Sequence, residues 1–266
     1  MIPNVLSIAG SDPSGGAGIQ ADIKSISANG AFAMAAITAL TAQNTQGVSG
    51  IHLVPPAFVS AQIAAVFDDI TVHAVKIGMI ANAEIAHAVA TSLHGQTMPF
   101  VLDPVMIAKG GAQLLHDDAV AVLRDHLLPV ATLLTPNLPE AAHLLCVPVA
   151  TTRAEMAAQG AALCALGPAA VLMKGGHLAE PDSPDCLVIS QDVTWFEGAR
   201  TATKNTHGTG CTLSSALAAQ LAKGLSIAQS VAAAKTYVAQ AIEHADALSV
   251  GSGHGPTNHF SAFFPR

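Results

Sequence analysis

Asn205-Thr206-His207-Gly208-Thr209-Gly210-Cys211-Thr212 opens a long run rich in alanine and leucine. Glycines at 208 and 210 would let the backbone come close to a ligand. The free N–H groups of a first helical turn would then favour an anion, helped by the helix dipole. A plain glycine-containing turn is the alternative reading of the same residues. The spacing is not that of a Walker loop, which needs Lys-Ser/Thr after the second glycine, nor that of a dinucleotide fingerprint. Cys211 falls in the first turn, where the dipole is expected to lower a thiol pKa and make the sulfur a nucleophile or a base toward a hydroxyl. The alternative is a small buried apolar residue.

Other candidates stand in similar places. Gly10-Ser11-Asp12-Pro13-Ser14-Gly15-Gly16-Ala17-Gly18 follows an apolar run and either folds against a small ligand or is a flexible loop. Asp22 and Lys24 come soon after it, as site groups or as a solvated helix face. Thr41-Ala42-Gln43-Asn44-Thr45-Gln46-Gly47 carries amides suited to reading the edge of a heterocycle, or is a polar loop. Asp103 and Glu140 could reach Mg²⁺ held by phosphate oxygens, although an acid at position 140 also suits the first turn of a helix. Lys174, before Gly175-Gly176, could steady a phosphate chain or snorkel to the surface. His177, His207, His254 and His259 lie near these segments, with His207 best placed to touch a ligand. The twelve histidines show no metal-ligand spacing. Lys109-Gly110-Gly111 reads equally as a flap or a surface turn.

These residues need a scaffold. Strands are expected at Val5–Ala9, Ala36–Leu40, Val75–Gly78, Phe100–Asp103, Thr132–Thr135 and Val171–Lys174. Helices are expected at Gly18–Asn29, Ala57–Phe67, Ala83–Leu93, Asp117–Leu127, Leu138–Leu145 and Arg153–Leu166. Cys186–Ile189 and Val193–Phe196, joined around Gln191-Asp192, read as an antiparallel edge hairpin. Helices at Cys211–Lys223 and Ser226–Ala245 follow, then a Gly/His/Pro-rich tail. Apolar runs alternating with amphipathic ones predict an α/β fold, a doubly wound, mostly parallel sheet covered on both faces. No linker or repeat divides the 266 residues, so one domain over 1–266 is expected. In such sheets ligands sit beyond the carboxyl ends of the strands, which is where the candidates above fall.

Charged residues are only 11% of the chain, alanine fills 52 positions, and the formal charge is −7. That excludes disorder and argues against nucleic acid or an anionic membrane as partner. Mean hydropathy is +0.46, yet the apolar stretches are broken before the ~18 residues that a spanning helix needs. The N-terminus shows no basic leader, so a soluble, cytoplasmic protein is expected. Cys146, Cys164, Cys186 and Cys211 match no zinc or redox spacing and read as reduced thiols. So few surface charges make a homodimer the expected assembly.

With its motifs in this order, the sequence resembles the ribokinase-like superfamily and, within it, the hydroxymethylpyrimidine/phosphomethylpyrimidine kinases of thiamine biosynthesis. The resemblance covers nearly the whole chain. It is carried by the run from Ser7 to Asp22, Thr41-Ala42-Gln43-Asn44-Thr45, Lys76-Ile77-Gly78-Met79 and Asp103-Pro104-Val105-Met106. It continues through Thr135-Pro136-Asn137-Leu138-Pro139-Glu140-Ala141, Met173-Lys174-Gly175-Gly176-His177, the run from Asn205 to Cys211, and Gly253-His254-Gly255-Pro256-Thr257-Asn258-His259. The resemblance implies an ATP- and Mg²⁺-dependent kinase that phosphorylates 4-amino-5-hydroxymethyl-2-methylpyrimidine and then its monophosphate. A pyridoxine or pyridoxal kinase of the same subfamily is the alternative. It further implies an anion hole at Gly208, Thr209 and Gly210, with Cys211 as base where sugar kinases carry Asp, and Lys174 on the phosphates. Asn137 and Glu140 would hold magnesium through water, with Asp103 nearby. Gln43 would read the ring, with Gly10, Asp22, Met79 and Val105 around it. Thr206 and Lys235 would face the nucleotide, whose adenine would lie between the edge hairpin and the last two helices.

Overall fold

The computed structural model describes residues 1–106 and 117–263, so Lys109-Gly110-Gly111 lie outside the described residues. The strands are β1 (Asn4–Ala9), β2 (Phe32–Ile37), β3 (Ala39–Asn44), β4 (Gly47–Leu53), β5 (Ala74–Ile77), β6 (Phe100–Leu102), β7 (Leu133–Leu134), β8 (Val171–Met173), β9 (Asp185–Ile189) and β10 (Asp192–Phe196). The helices are α1 (Gly18–Ala28), α2 (Pro56–Asp69), α3 (Ala83–Leu93), α4 (Asp117–Val122), α5 (Leu138–Leu145), α6 (Arg153–Cys164), α7 (Thr209–Ala222) and α8 (Ile227–Glu243).

Among the described residues, eight strands form one sheet in the order β10-β9-β8-β7-β6-β5-β1-β2. Every pair from β8 to β2 is parallel, whereas β9 and β10 run antiparallel at the edge, as the sequence predicts. Period-two alternation sends Leu6, Ile8, Val75, Ile77 and Leu102 to a core beneath α2, α3, α5 and α6. Val5, Ala74, Val101, Leu133 and Leu172 face the opposite core, under α1, α7 and α8. Burial on both faces explains why these strands read as continuous apolar runs. Ala216, Ala218 and Ala219 are fully buried, and their small side chains let α7 lie close to the sheet.

One expectation needs correction. The run expected as a single strand over Ala36–Leu40 is the junction of two. β2 pairs with β1, Thr38 turns the chain by bonding to the Ala9 and Met79 carbonyls, and β3 then leaves the sheet. β3 pairs with β4 as a separate antiparallel hairpin, so Thr41–Gln46 is strand and turn rather than loop. The segment looks like loop in the sequence because Thr41 and Gln43 are the side chains that turn inward, while Leu40 and Ala42 face outward. The tail returns to tie this hairpin down: His254 N–H donates to the Thr45 carbonyl and Gly253 N–H to the Thr45 hydroxyl.

Candidate active site

α7 begins at Thr209, and Gly208 caps it with φ of +74°. A Cβ at Gly208 would overlap the Gly16 carbonyl oxygen, so only glycine lets the two glycine-rich segments touch. The Thr209 hydroxyl donates back to the Thr206 carbonyl, which fixes the turn. Thr209 N–H bonds back to the Thr206 carbonyl at 3.4 Å, while the N–H groups of Gly210 and Cys211 have no intrahelical acceptor by geometry and start the helix beside Lys174 and Asp103. A Cβ on Gly210 would stand 3.4 Å from Lys174 Nζ and 3.5 Å from Asp103 Oδ2.

Strand ends supply the charges. Lys174 follows β8 and reaches Asp103 Oδ1, just past β6, at 2.8 Å, and Glu140 Oε2 at 3.7 Å. Burial works against the Lys174 charge, but the two carboxylates outweigh it and hold the ammonium above its ordinary value. Burial pushes the Glu140 carboxyl up to about 7, with the Asp103 charge adding to it and Lys174 offsetting part. Glu140 and Asn137 also form a reciprocal capping box on α5, Asn137 N–H to Glu140 at 2.7 Å and Glu140 N–H to Asn137 at 2.8 Å. Among the described residues no three His, Cys, Asp or Glu side chains converge on one point. Two hard carboxylates beside a helix start with free N–H groups could take part in holding a divalent ion, the rest of whose shell would be phosphate and water.

The ring-facing candidates gather on the other side of the turn. Gly10 and Met79 are neighbours, a Cβ on Gly10 falling 2.6 Å from Met79 Cε. Val105 packs on the small cluster of Ala39, Met79 and Ala81. A bulge between Ala42 and Gln43 re-aims the Gln43 side chain, whose Nε2 lies 3.3 Å from His207 Nε2. His207 Nε2 in turn lies 2.7 Å from Asp12 Oδ2.

Three expectations do not survive the geometry. Asp22 is not on the pocket wall: it and Lys76 are both 0% exposed, paired at 2.9 Å, with Ser7 and Ser215 donating to the same carboxylate. The Cys211 thiol is not lowered: burial pushes it up to about 11, Lys76 opposes this, and the Asp22 and Asp103 carboxylates add to it. A hydrogen bond from the Gly18 backbone also opposes the rise, but burial and two negative charges outweigh both. Lys235 is engaged by Asp185 at 2.6 Å and the Ser183 carbonyl at 3.0 Å, so it braces the base of the edge hairpin.

Two residues were missed. Asp12 accepts from Ser14 N–H, Ser14 Oγ, Ala17 N–H and His207, and so organises the whole glycine loop. Its signal was Asp-Pro-Ser, a sequence that favours a side-chain-to-backbone turn. Lys76 lies in an apolar strand, and a lysine between Val75 and Ile77 was the available hint that a carboxylate waits inside.

The phosphomethylpyrimidine kinase family model matches residues 12–258. The chain is 52% identical over 262 residues to the hydroxymethylpyrimidine/phosphomethylpyrimidine kinase of Escherichia coli, covering 98% of both. A crystal structure of phosphomethylpyrimidine kinase from Clostridium difficile superposes with a TM-score of 0.80 at 41% identity, over 90% of this chain and 99% of that one. An ADP complex of Bacillus subtilis pyridoxal kinase superposes with a TM-score of 0.90 at 32% identity, over 98% of this chain and 99% of that one.

Proposed function

The chain belongs to the phosphomethylpyrimidine kinase family, and we propose on that premise that it phosphorylates 4-amino-5-hydroxymethyl-2-methylpyrimidine with ATP, and then phosphorylates the monophosphate. The observation that carries this reading is the convergence of the Gly208–Gly210 turn, Lys174 and Cys211 at the carboxyl end of one parallel sheet.

Phosphoryl transfer asks a protein chiefly for positioning and for charge complementary to the phosphoryl oxygens. The first turn of α7 offers N–H groups at fixed positions, and Lys174 offers a cation that its two carboxylates keep charged. The turn cannot drift, because Gly208 is seated on Gly16 and the tail bonds across it. Asp103 and Glu140 would hold Mg²⁺, Glu140 through water. The ion, when bound, neutralises charge on the phosphate oxygens. Asn137 and Thr206 line the nucleotide side, with Lys235 bracing the hairpin beyond. Cys211, in the first turn of α7, takes the alcohol proton late in the first transfer only in the small fraction of molecules whose sulfur is a thiolate, because burial holds the thiol up at about 11. The second transfer needs no such base, since a phosphomonoester is already largely ionised near pH 7. Gln43, Gly10, Met79 and Val105 hold the ring.

The chain acts as a single kinase unit, in the cytoplasm and as a homodimer. Exposed Phe32 on edge strand β2, Leu40 and Ile51 on the hairpin, and Phe58 on α2 give it apolar surface to pair. No helix among the described residues is long and apolar enough to cross a membrane.

Mass spectrometry of the products formed with Mg-ATP tests the reading, using the aminopyrimidine alcohol and, separately, pyridoxine. Mono- and diphosphorylated pyrimidine with little pyridoxine phosphate is the expected result. Pyridoxine phosphate alone would keep the phosphate chemistry and overturn the role of Gln43.

A further inference from the structure

His207 sits where four segments meet. Its backbone N–H donates to the Gly255 carbonyl of the tail, its ring packs on Gly16, its Nε2 contacts Asp12, and the same Nε2 faces Gln43 on the hairpin. Asp12 is already taken up at both oxygens: Ser14 N–H and Oγ donate to one, and Ala17 N–H to the other. These donors and His207 more than offset the burial that works against the charge, so the carboxyl stays below its usual range and ionised at neutral pH. An ionised carboxylate only accepts. The hydrogen in the 2.7 Å contact therefore sits on His207 Nε2.

That hydrogen constrains Gln43. With Nε2 of His207 a donor, it cannot accept from the Gln43 nitrogen 3.3 Å away. At the other end of the amide, the Thr41 hydroxyl lies 3.2 Å from the Gln43 oxygen, yet its single hydrogen already goes to the Ser11 carbonyl at 2.8 Å. The nitrogen of Gln43 thus faces a donor and its oxygen faces a hydroxyl with nothing left to give. Exchanging the two ends of the amide, which shape does not distinguish, lets the nitrogen donate to the Thr41 hydroxyl oxygen and puts the amide oxygen beside the N–H of His207, where at 3.3 Å it shares with Asp12 the single hydrogen of Nε2 instead of facing it with another N–H.

We propose that His207, anchored by Asp12, is a positioning residue that turns the Gln43 amide with its oxygen toward His207 and its nitrogen toward Thr41. The free lone pair and the free N–H at the tip of the amide then have a fixed order. An aminopyrimidine presents a ring nitrogen and an amino group side by side, so only one order matches it. The inference rests on the reading of Gln43 as the residue that meets the ring.

Its test compares kcat/KM for the aminopyrimidine alcohol with that for the same alcohol lacking the 4-amino group. His207→Phe keeps a ring against Gly16 and removes the donor. The preference for the amino compound should fall about tenfold, with the loss falling on KM more than on kcat, whereas His207→Gln, which restores an N–H, should retain most of it. Gln43→Ala, measured alongside, separates the failures. If it abolishes the preference and His207→Phe leaves it intact, the positioning role is wrong. If Gln43→Ala itself leaves the preference intact, the reading of Gln43 fails and takes the positioning role with it. Should His207→Phe not fold, Thr41→Val removes the acceptor at the other end of the amide and must lower the preference too; an unchanged preference there overturns the proposal.

Discussion

Two lysine–carboxylate pairs meet α7, and they differ in almost nothing but access. Asp103 reaches the helix through Ser214 and pairs with Lys174; Asp22 reaches it through Ser215 and pairs with Lys76. The Lys174 side chain keeps 16% of its surface and shares a second carboxylate, Glu140. Lys76 and Asp22 keep none, and four donor contacts, two from Lys76 and one each from Ser7 and Ser215, fill the Asp22 oxygens. A pair that is saturated and sealed has nothing to offer a ligand. A pair with a surplus carboxylate and an open lysine can exchange one partner for a phosphate at little cost. Exposure together with an unfilled valence, rather than residue type, separates the pair proposed to work on phosphate from the structural one.

The comparison is broken most sharply by removing each lysine. Lys174→Ala should lower kcat roughly a thousandfold, the scale of losing an electrostatic contact made to developing charge. Its stability should change by no more than about 1 kcal/mol, because Glu140, poised at about 7, can take up a proton in compensation. Lys76→Met should do the reverse. It strands a buried carboxylate and should cost about 3–5 kcal/mol in urea unfolding, most of it recovered when Asp22→Asn is added. Steady-state kinetics and unfolding midpoints on both variants decide it. Equal effects on activity from the two would dissolve the distinction.

The sealed pair also shows where sequence reading stops. The parallel sheet was legible because strands such as Val171–Met173 are buried on both faces and so uniformly apolar. The meeting of Asp103, Glu140 and Lys174 was legible because each follows a strand and a parallel sheet brings its strand ends to one edge. Asp22 was misplaced because its partner lies 54 residues away, and nothing local tells a solvated helix face from one that meets a buried lysine. The β3–β4 hairpin was hidden for a related reason: its inward face is polar, and alternation without apolar residues looks like loop. The rise of the Cys211 pKa needed burial and two distant carboxylates, none of which its place in a first helical turn reveals.

A further buried titratable group, held against α7 by the C-terminal tail, sharpens the contrast by having no counter-charge. His259 Nε2 lies 3.1 Å from Thr212 Oγ1, whose own hydrogen goes to the Gly208 carbonyl, so the imidazole is the donor. Burial, with the Lys24 charge adding, pushes its pKa from 6.5 down to about 4. Below 6.5 the unfolded chain binds a proton that the folded chain refuses. Stability from this group is therefore full above about pH 6.5 and is lost as pH falls toward 4, by about 3 kcal/mol in all. His259→Gln should flatten that part of the stability–pH curve. An unchanged difference between pH 7 and pH 4 would mean that the tail does not exclude water from His259.

The smallest effect is expected at Cys211, and it bears on both pairs at once. Lys76 favours the thiolate, but burial and the Asp22 and Asp103 carboxylates leave the thiol protonated at neutral pH in this arrangement. A base so rarely in its working form contributes far less than the hundredfold or more of a well-matched general base. Proton removal from the alcohol is also late in a loose phosphoryl transfer, which lowers the demand on the sulfur further. Cys211→Ala should therefore slow the first phosphorylation about tenfold and the second less than twofold, read from single-turnover rates with the alcohol and with its monophosphate. Equal losses in the two steps would move Cys211 from proton acceptor to packing residue, and Lys76 and Asp22 would then have no link to the chemistry beyond holding α7 against the sheet.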